Sequence, residues 1–275
     1  MPVVLLTDNG SLRESATKQL RSLAVKLSDK TGYAIHPVSL KHADRIPVEK
    51  LDGKPAQVFT HFMRNQLSEG ETEFVLLPVF FGESKALTSF VAEEVKLLKQ
   101  RYGNFKFDIA EVVYPLPRGE ELLTRIIYEH ILLTVTKNNL PLRNVVLVDH
   151  GSPNPRVTDV RKHLAKTVQK KLPDGCLLEQ AVMERRDDKQ YDFNGDLLKD
   201  WLQKKVTAGE TSVIVILLFF LPGRHAGEGG DIVEICNSVE KDYSDFNISI
   251  SPLIAEHSEF ISILQNRLNS LIKSI

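Results

Sequence analysis

The sequence predicts an α/β protein of two tandem similar domains, each a small doubly wound four-stranded parallel sheet flanked by helices. Three observations carry this expectation. The chain repeats itself. Each repeat alternates strand-like and helix-like segments, and its third strand is a continuous apolar run rather than an alternating one.

The repeat is visible in short matches. Val3–Ser11, ending Asp8-Asn9-Gly10-Ser11, resembles Val145–Ser152, ending Asp149-His150-Gly151-Ser152. Leu76–Gly82 resembles Leu217–Gly223, and Tyr114-Pro115-Leu116 resembles Ser251-Pro252-Leu253. The spacing is 141 residues from Asn9 to His150 and from Gly82 to Gly223, and 137 from Pro115 to Pro252. A duplication with short indels explains this regularity.

In the second half, strands are expected near 144–149, 177–183, 211–221 and 247–253, with helices near 155–171, 191–205, 229–243 and 256–273. The last helix places Phe260, Ile261, Leu264, Leu268, Leu271 and Ile272 close to a 3.6-residue period. The run Val213–Leu221 is apolar throughout, as expected of a parallel strand covered on both faces. Right-handed βα crossovers then give a doubly wound sheet. Turn residues in Lys137-Asn138-Asn139-Leu140-Pro141 mark the boundary, giving an N-terminal domain at 1–136, a linker at 137–144 and a C-terminal domain at 145–275.

With 275 residues, 42% hydrophobic and 26% charged, the chain can bury one large core or two small ones. Lys+Arg (35) and Asp+Glu (36) nearly cancel, so no global basic field points to nucleic acid or an anionic membrane. A small anionic ligand needs only a local basic rim. Cys176 and Cys236 form no CxxC pair or disulfide framework, which fits a reducing compartment. The N-terminus lacks a basic n-region and a cleavage site, and the longest apolar run is too short to span a bilayer. A cytoplasmic enzyme or binding protein is expected. A monomer carries both halves, and a homodimer stays open.

Doubly wound sheets bind ligands beyond the carboxyl ends of their strands, where the strand order reverses. For the order 2-1-3-4 that point lies between strands 1 and 3. In the second half the residues just past those ends are His150 and His225, the latter in Pro222-Gly223-Arg224-His225. Neighbouring strands are about 4.8 Å apart, so two imidazoles there can converge on one atom. Strand 2 ends at Glu184, which adds a carboxylate, with Glu179 or Asp187 as alternatives. Neutral imidazole suits Fe, Co, Ni and Zn, and a two-histidine site with open positions holds a metal without caging it. Gly151, Gly223, Gly227, Gly229 and Gly230 are expected to let the backbone approach a large flat ligand. Arg156, Arg185, Arg186 and Arg224 lie near the same strand ends, where they can pair with ligand carboxylates. Asp231 reads as a helix cap.

The first half lacks these groups. Asn9 stands for His150, Leu40 for Glu184 and Ser84 for His225, so residues 1–136 read as a structural partner supplying the opposite wall of a cleft. His36 and His42 flank the end of its second strand and could serve a relocated site, though the favoured reading is surface histidines.

Across essentially the whole chain, these motifs resemble the class II chelatases of the CbiX/SirB type, in their two-domain form. The strongest pieces are Val148–Arg156 and Phe220–Ile232, with Leu77–Gly82 as a companion. Histidine-glycine-serine alone is weak, but followed by proline-glycine-arginine-histidine, each after an apolar strand, it is fairly specific. The resemblance implies loading of cobalt or iron into sirohydrochlorin. His150 and His225 would handle the metal and Glu184 would serve as base or third ligand. Arg156, Arg224, Gly151 and Ser152 would contact the tetrapyrrole. The metal (Co2+, Fe2+ or Ni2+) is then a substrate, and no organic cofactor is needed. Because only one half keeps the motifs, one site per chain is implied. Two other readings compete: a tetrapyrrole- or metal-binding protein without turnover, and a metal-dependent hydrolase. The last lacks the fuller ligand set that such sites use. Neither the metal nor the pathway, cobalamin or sirohaem, follows from the residues.

Overall fold

The computed structural model describes residues 1–274. Its first part runs β1 (Val3–Thr7), α1 (Glu14–Thr31), β2 (Ile35–Ser39), β3 (Gln57–Val58), α2 (Phe59–Ser68), β4 (Glu73–Pro78), α3 (Ala92–Tyr102), β5 (Lys106–Ile109) and α4 (Glu121–Asn138). The second runs β6 (Val145–Asp149), α5 (Pro155–Gln169), β7 (Leu178–Val182), α6 (Leu198–Thr207), β8 (Ser212–Leu217), α7 (Asp231–Asp242), β9 (Asn247–Ile250) and α8 (Phe260–Ile272).

Two parallel sheets result, with orders β3-β2-β1-β4-β5 and β7-β6-β8-β9. The second is the expected 2-1-3-4 order. The first gains a fifth strand, because Gln57 and Val58 pair with Val38 and Ser39 just before α2 begins. At the matching place the second sheet has only the bridge Val182–Leu197. Two residues are too few to show a strand pattern in sequence. Central strands β1, β6 and β8 are buried along their whole length, while edge strands β5 and β9 are partly exposed. That contrast is what makes the third strand of each half read as a continuous apolar run.

The chain forms two compact units that do not follow the repeat boundary. Unit 1 contains Met1–Pro115 and the segment from Ile261 onward, whereas unit 2 is Leu116–Phe260. Each repeat's last helix therefore completes the other repeat's unit. In unit 2, α4 packs on β8 and beside α5. In unit 1, Arg267 of α8 donates from Nε to the Val112 carbonyl (3.0 Å) and from Nη2 to that of Val113 (3.2 Å). The expected linker 137–144 lies inside unit 2. An amphipathic helix carries an apolar face but no label for the sheet it will cover, so the exchange is not written in its periodicity.

Two expected elements differ in extent. β8 ends at Leu217, because Pro222 has no N–H and the backbone beyond turns to other partners. Phe219 and Phe220 instead accept from Ile254 and Ala255. The helix expected at 191–205 is a 3-10 turn, Lys189–Asn194, followed by α6, with Gly195 (φ +84°) breaking between them.

Candidate metal site

His150 directly follows β6. Past the strand end the parallel pairing continues through two backbone bonds, Met183 N–H to Asp149 O (2.9 Å) and Glu184 N–H to His150 O (3.1 Å). These bonds fix Glu184 next to His150, with Oε1 3.3 Å from Nε2. The approach requires glycine at 151. Its φ is +91°, and a Cβ there would lie 1.9 Å from the Glu184 carbonyl oxygen.

A buried ion pair supports this turn from below. Asp149 Oδ1 accepts from the Gly151 N–H (3.0 Å) and from Arg161 Nη1 (2.6 Å), and Arg161 is only 2% exposed. Burial pushes the Asp149 carboxyl up, and the adjacent guanidinium and backbone N–H pull against that shift. Arg161 also donates to the carbonyls of Ala181 and Asn194, so its charge and fork are satisfied. The buried Asn194 amide grips the next residue from both sides, accepting from Ser152 N–H (3.0 Å) and donating to Ser152 O (2.9 Å). Asn154 then caps α5, accepting from Arg156 N–H, with Pro155 at the first helical position.

His225 sits in the loop between β8 and α7. The loop folds onto the start of α7, because Asp231 and Ile232 donate their N–H groups to the carbonyls of Arg224 and His225. Those donors would otherwise be orphans of the first helical turn. The cap position is Gly230, and Asp231 is the first helical residue. Its carboxylate Oδ2 accepts from His225 Nδ1 at 2.6 Å. A Cβ on Gly230 would approach three backbone atoms of this loop at 3.0–3.1 Å. Gly151 and Gly230 thus close the protein backbone on itself. The expected role, leaving room for a flat ligand, does not describe them.

The two imidazoles meet edge to face, with ring centroids 4.5 Å apart. The hydrogen-bond partners define which nitrogen each presents. The Gly151 carbonyl, 3.0 Å from His150 Nδ1, can only accept, so Nδ1 carries the proton and Nε2 the lone pair. The Asp231 carboxylate does the same for His225. Both rings are therefore in the tautomer that ligates through Nε2. The His150 lone pair faces a carboxylate oxygen at 3.3 Å, an arrangement of two donors that is relieved by a proton or a metal ion between them. All three side chains reach solvent, with relative exposures of 42% (His150), 31% (His225) and 62% (Glu184).

His150 lies against both His225 and Glu184, but the three do not offer ligand atoms all within 4.8 Å of one another; among the described residues only Glu129, His257 and Glu259 do. Glu179 is committed to Lys205, and Asp187 is exposed beyond the turn. Arg224 is 80% exposed, its Nε 3.7 Å from Asp231, and Arg156 is exposed on the first turn of α5. Arg185 and Arg186 are tied to the 188–195 segment: Arg185 to Gly195 O and Asp192, Arg186 to the Tyr191 hydroxyl. Sequence reasoning missed Arg161 and Asn194 and reduced Asp231 to a cap. The signal for Asp231 was its spacing, since a carboxylate six residues after a loop histidine can return to it when the loop winds onto a helix start.

In unit 1 the same turn is built without the ligands. Leu40 N–H donates to Asp8 O and Lys41 N–H to Asn9 O, so the counterpart of Glu184 is Lys41; the expected match, Leu40, aligns with Met183. The other two sequence matches also shift. Val79 N–H donates to Thr7 O where Leu218 N–H donates to Val148 O, which aligns Gly82 with Leu221 instead of Gly223 and removes the basis for Ser84. Val113 corresponds to Ile254, each bonding to the matching Phe80 or Phe219 carbonyl, so Pro115 and Pro252 are not equivalent. His36 lies inside β2, half-buried against Phe62, rather than on the surface, and burial pushes its imidazole down. His42 is exposed.

Residues 144–271 match the CbiX family model. This half of the chain is therefore similar to the CbiX family. The fold is shared along its full length with solved structures. SirB from Bacillus subtilis with Fe3+ is 13% identical with a TM-score of 0.70, covering 98% of this chain and 95% of that one. The sirohydrochlorin chelatase SirB from Bacillus subtilis subspecies spizizenii, in complex with cobalt, gives 0.67 at 13% identity, with the same two coverages. CbiX, described as the terminal enzyme for biosynthesis of siroheme in denitrifying bacteria, gives 0.57 at 13% identity, covering 98% of each chain. No curated protein sequence matches the chain. Among the described residues, no helix is long and apolar enough to cross a membrane.

Proposed function

We propose that this chain inserts Co2+ or Fe2+ into a sirohydrochlorin-type tetrapyrrole, in cobalamin or sirohaem biosynthesis. One observation supports this above the others: the His150 and His225 rings lie 4.5 Å apart, each with its Nδ1 held by an acceptor, and His150 Nε2 is 3.3 Å from the Glu184 carboxylate, beyond the carboxyl ends of the strands. Two imidazoles bind a borderline divalent ion and leave coordination positions open for ring nitrogens. As the ion passes to the macrocycle, two pyrrole N–H protons must leave. The vacated Nε2 lone pairs and the Glu184 carboxylate are the bases at hand. In this reading the exposed Arg224 and Arg156 would meet carboxylates at the ring's edge, and Gly151 and Ser152 would contact the macrocycle through their backbone. The metal is a substrate, and the reaction needs no organic cofactor. The free thiols of Cys176 and Cys236 are compatible with the cytoplasmic setting this reading assumes.

The test is anaerobic mixing of protein, sirohydrochlorin and Co2+ or Fe2+, followed by absorbance. His150→Ala and His225→Ala should each slow metallation by about 100-fold or more while leaving the fold intact. Wild-type turnover in both variants would overturn the reading. Spectral binding of the macrocycle without faster metallation would identify a binding protein instead.

A further inference from the structure

A second cluster of donors lies in unit 2, away from the turns just described. Glu129 is on α4, and His257 and Glu259 follow the 3-10 turn Ile254–Glu256. One ligand atom from each lies within 4.8 Å of the others. Glu129 Oε2 is 2.8 Å from His257 Nε2. Beside them His130 is 2% exposed, and its Nδ1 has no hydrogen-bond partner among the described residues. A buried ring nitrogen left unpaired costs about 1–3 kcal/mol, so its persistence calls for an explanation. The His130 and His257 rings are 5.6 Å apart, centroid to centroid. Both wall a cavity of about 550 Å3 together with Glu129 and Glu256.

The backbone sets this cluster at the carboxyl end of the sheet. Ser251 N–H donates to Val215 O, and Ile254 and Ala255 donate to Phe219 and Phe220. We propose that Glu129, His257 and Glu259 form a second site for a borderline divalent ion, with the buried, unpartnered His130 ring beside it on the wall of the same cavity. Two carboxylates and an imidazole suit Co2+, Fe2+ and Zn2+ better than Mg2+, which prefers oxygen alone. This inference does not rest on the chelatase reading.

Two interactions must yield. Arg125 pairs with Glu259 and lies 3.8 Å from Glu129. These are half-exposed surface pairs, each worth about 0–1 kcal/mol, so an ion held by three donors displaces the guanidinium. His257 Nδ1 accepts from the Glu259 N–H at 3.2 Å, so in this arrangement Nε2 carries the proton. Ligation through Nε2 moves that proton to Nδ1 with no net release, and the Glu259 N–H turns to solvent.

The experiment uses the full chain carrying His150→Ala and His225→Ala, which removes the first site. Titration with Co2+, read by calorimetry and by the visible spectrum, should show one remaining equivalent. Adding Glu129→Gln or His257→Gln should weaken it by about tenfold or more, and Arg125→Ala should tighten it. Glu129 is 44% exposed, so its substitution leaves the fold unchanged and keeps the test decisive should the His257 variant fail to fold. The proposal is overturned if no equivalent remains below about 1 mM, or if it survives Glu129→Gln undiminished.

Discussion

Gly151→Ala separates the geometry of the metal site from its donor set. The new Cβ would lie 1.9 Å from the Glu184 carbonyl oxygen, whereas real Cβ contacts stay beyond 3.0 Å, so the two turns must part by about 1.1 Å. That displacement breaks the 3.1 Å bond from Glu184 N–H to His150 O and strains its neighbour from Met183 to Asp149. Losing both costs about 2 kcal/mol. Forcing a side chain into φ +91° adds about 1–2 kcal/mol. The total, about 3–4 kcal/mol, corresponds to a drop of roughly 6–16 °C in the melting temperature of a unit this size. Gly209→Ala is the control: its φ is +79° but nothing lies within 4 Å, so only the left-handed strain applies. Gly10→Ala repeats the clash in unit 1, with a Cβ 1.8 Å from Lys41 O. Thermal unfolding and Co2+ titration should find Gly151→Ala and Gly10→Ala both strongly destabilised, and only the first defective in Co2+ binding. The reasoning fails if Gly151→Ala melts with Gly209→Ala, or if it binds Co2+ as the wild type does.

Asp231→Asn removes the anionic partner of His225 Nδ1–H while keeping its shape, so Co2+ affinity should fall about 10–100-fold with an unchanged circular dichroism spectrum. Unchanged affinity would show that Asp231 does not tune the ring. Arg161→Met strands a buried carboxylate and should cost about 3–5 kcal/mol by urea unfolding, part of which Asp149→Asn should restore in the same chain. No restoration would refute the pairing argument. Asp8 is buried, its Oδ1 has no hydrogen-bond partner, and burial raises its carboxyl above the usual 3.8. The folded state then holds a proton that the unfolded chain has released. This contribution is complete below pH 3.8 and is lost as pH rises through the folded value. Asp8→Asn stays neutral, so its stability relative to wild type should increase as pH rises above 3.8; a constant difference would refute the shift.

How much was legible depended on whether a feature is local. The apolar runs at Val145–Asp149 and Val213–Leu217 announce buried parallel strands, because covering helices leave no polar face. The sheet order places His150 at the switch point, whereas His225 lies well past the end of β8 and reaches His150 through a loop anchored on the start of α7. Glu184 followed from the same rule at the end of β7. What stayed hidden requires partners distant in sequence. Arg161 looks like one more charged residue on α5 until Asp149 and the carbonyls of Ala181 and Asn194 surround it. Asn194 lies in a segment whose pattern reads as helix, yet its amide holds Ser152, 42 residues away. The exchange of α4 and α8 between units has the same character. Their apolar faces are plain in the sequence, and the choice of sheet is made only in three dimensions.

The two halves show that scaffold and donor chemistry are separable. Unit 1 keeps the close approach of two turns, with Gly10 against Lys41 where unit 2 has Gly151 against Glu184. It keeps a buried aspartate, Asp8, at the place of Asp149. At the same 141-residue spacing, however, Leu20 stands for Arg161, and among the described residues no cation acts on the Asp8 carboxyl. Asn9 replaces the ligating imidazole. Lys41 takes the backbone position of Glu184, and its ammonium rests over the Phe90 ring at 3.8 Å. Unit 1 therefore lacks both the imidazole and the carboxylate that stand at this turn in unit 2. The turn survives there because its glycine and backbone bonds stabilise the fold whether or not an ion ever arrives.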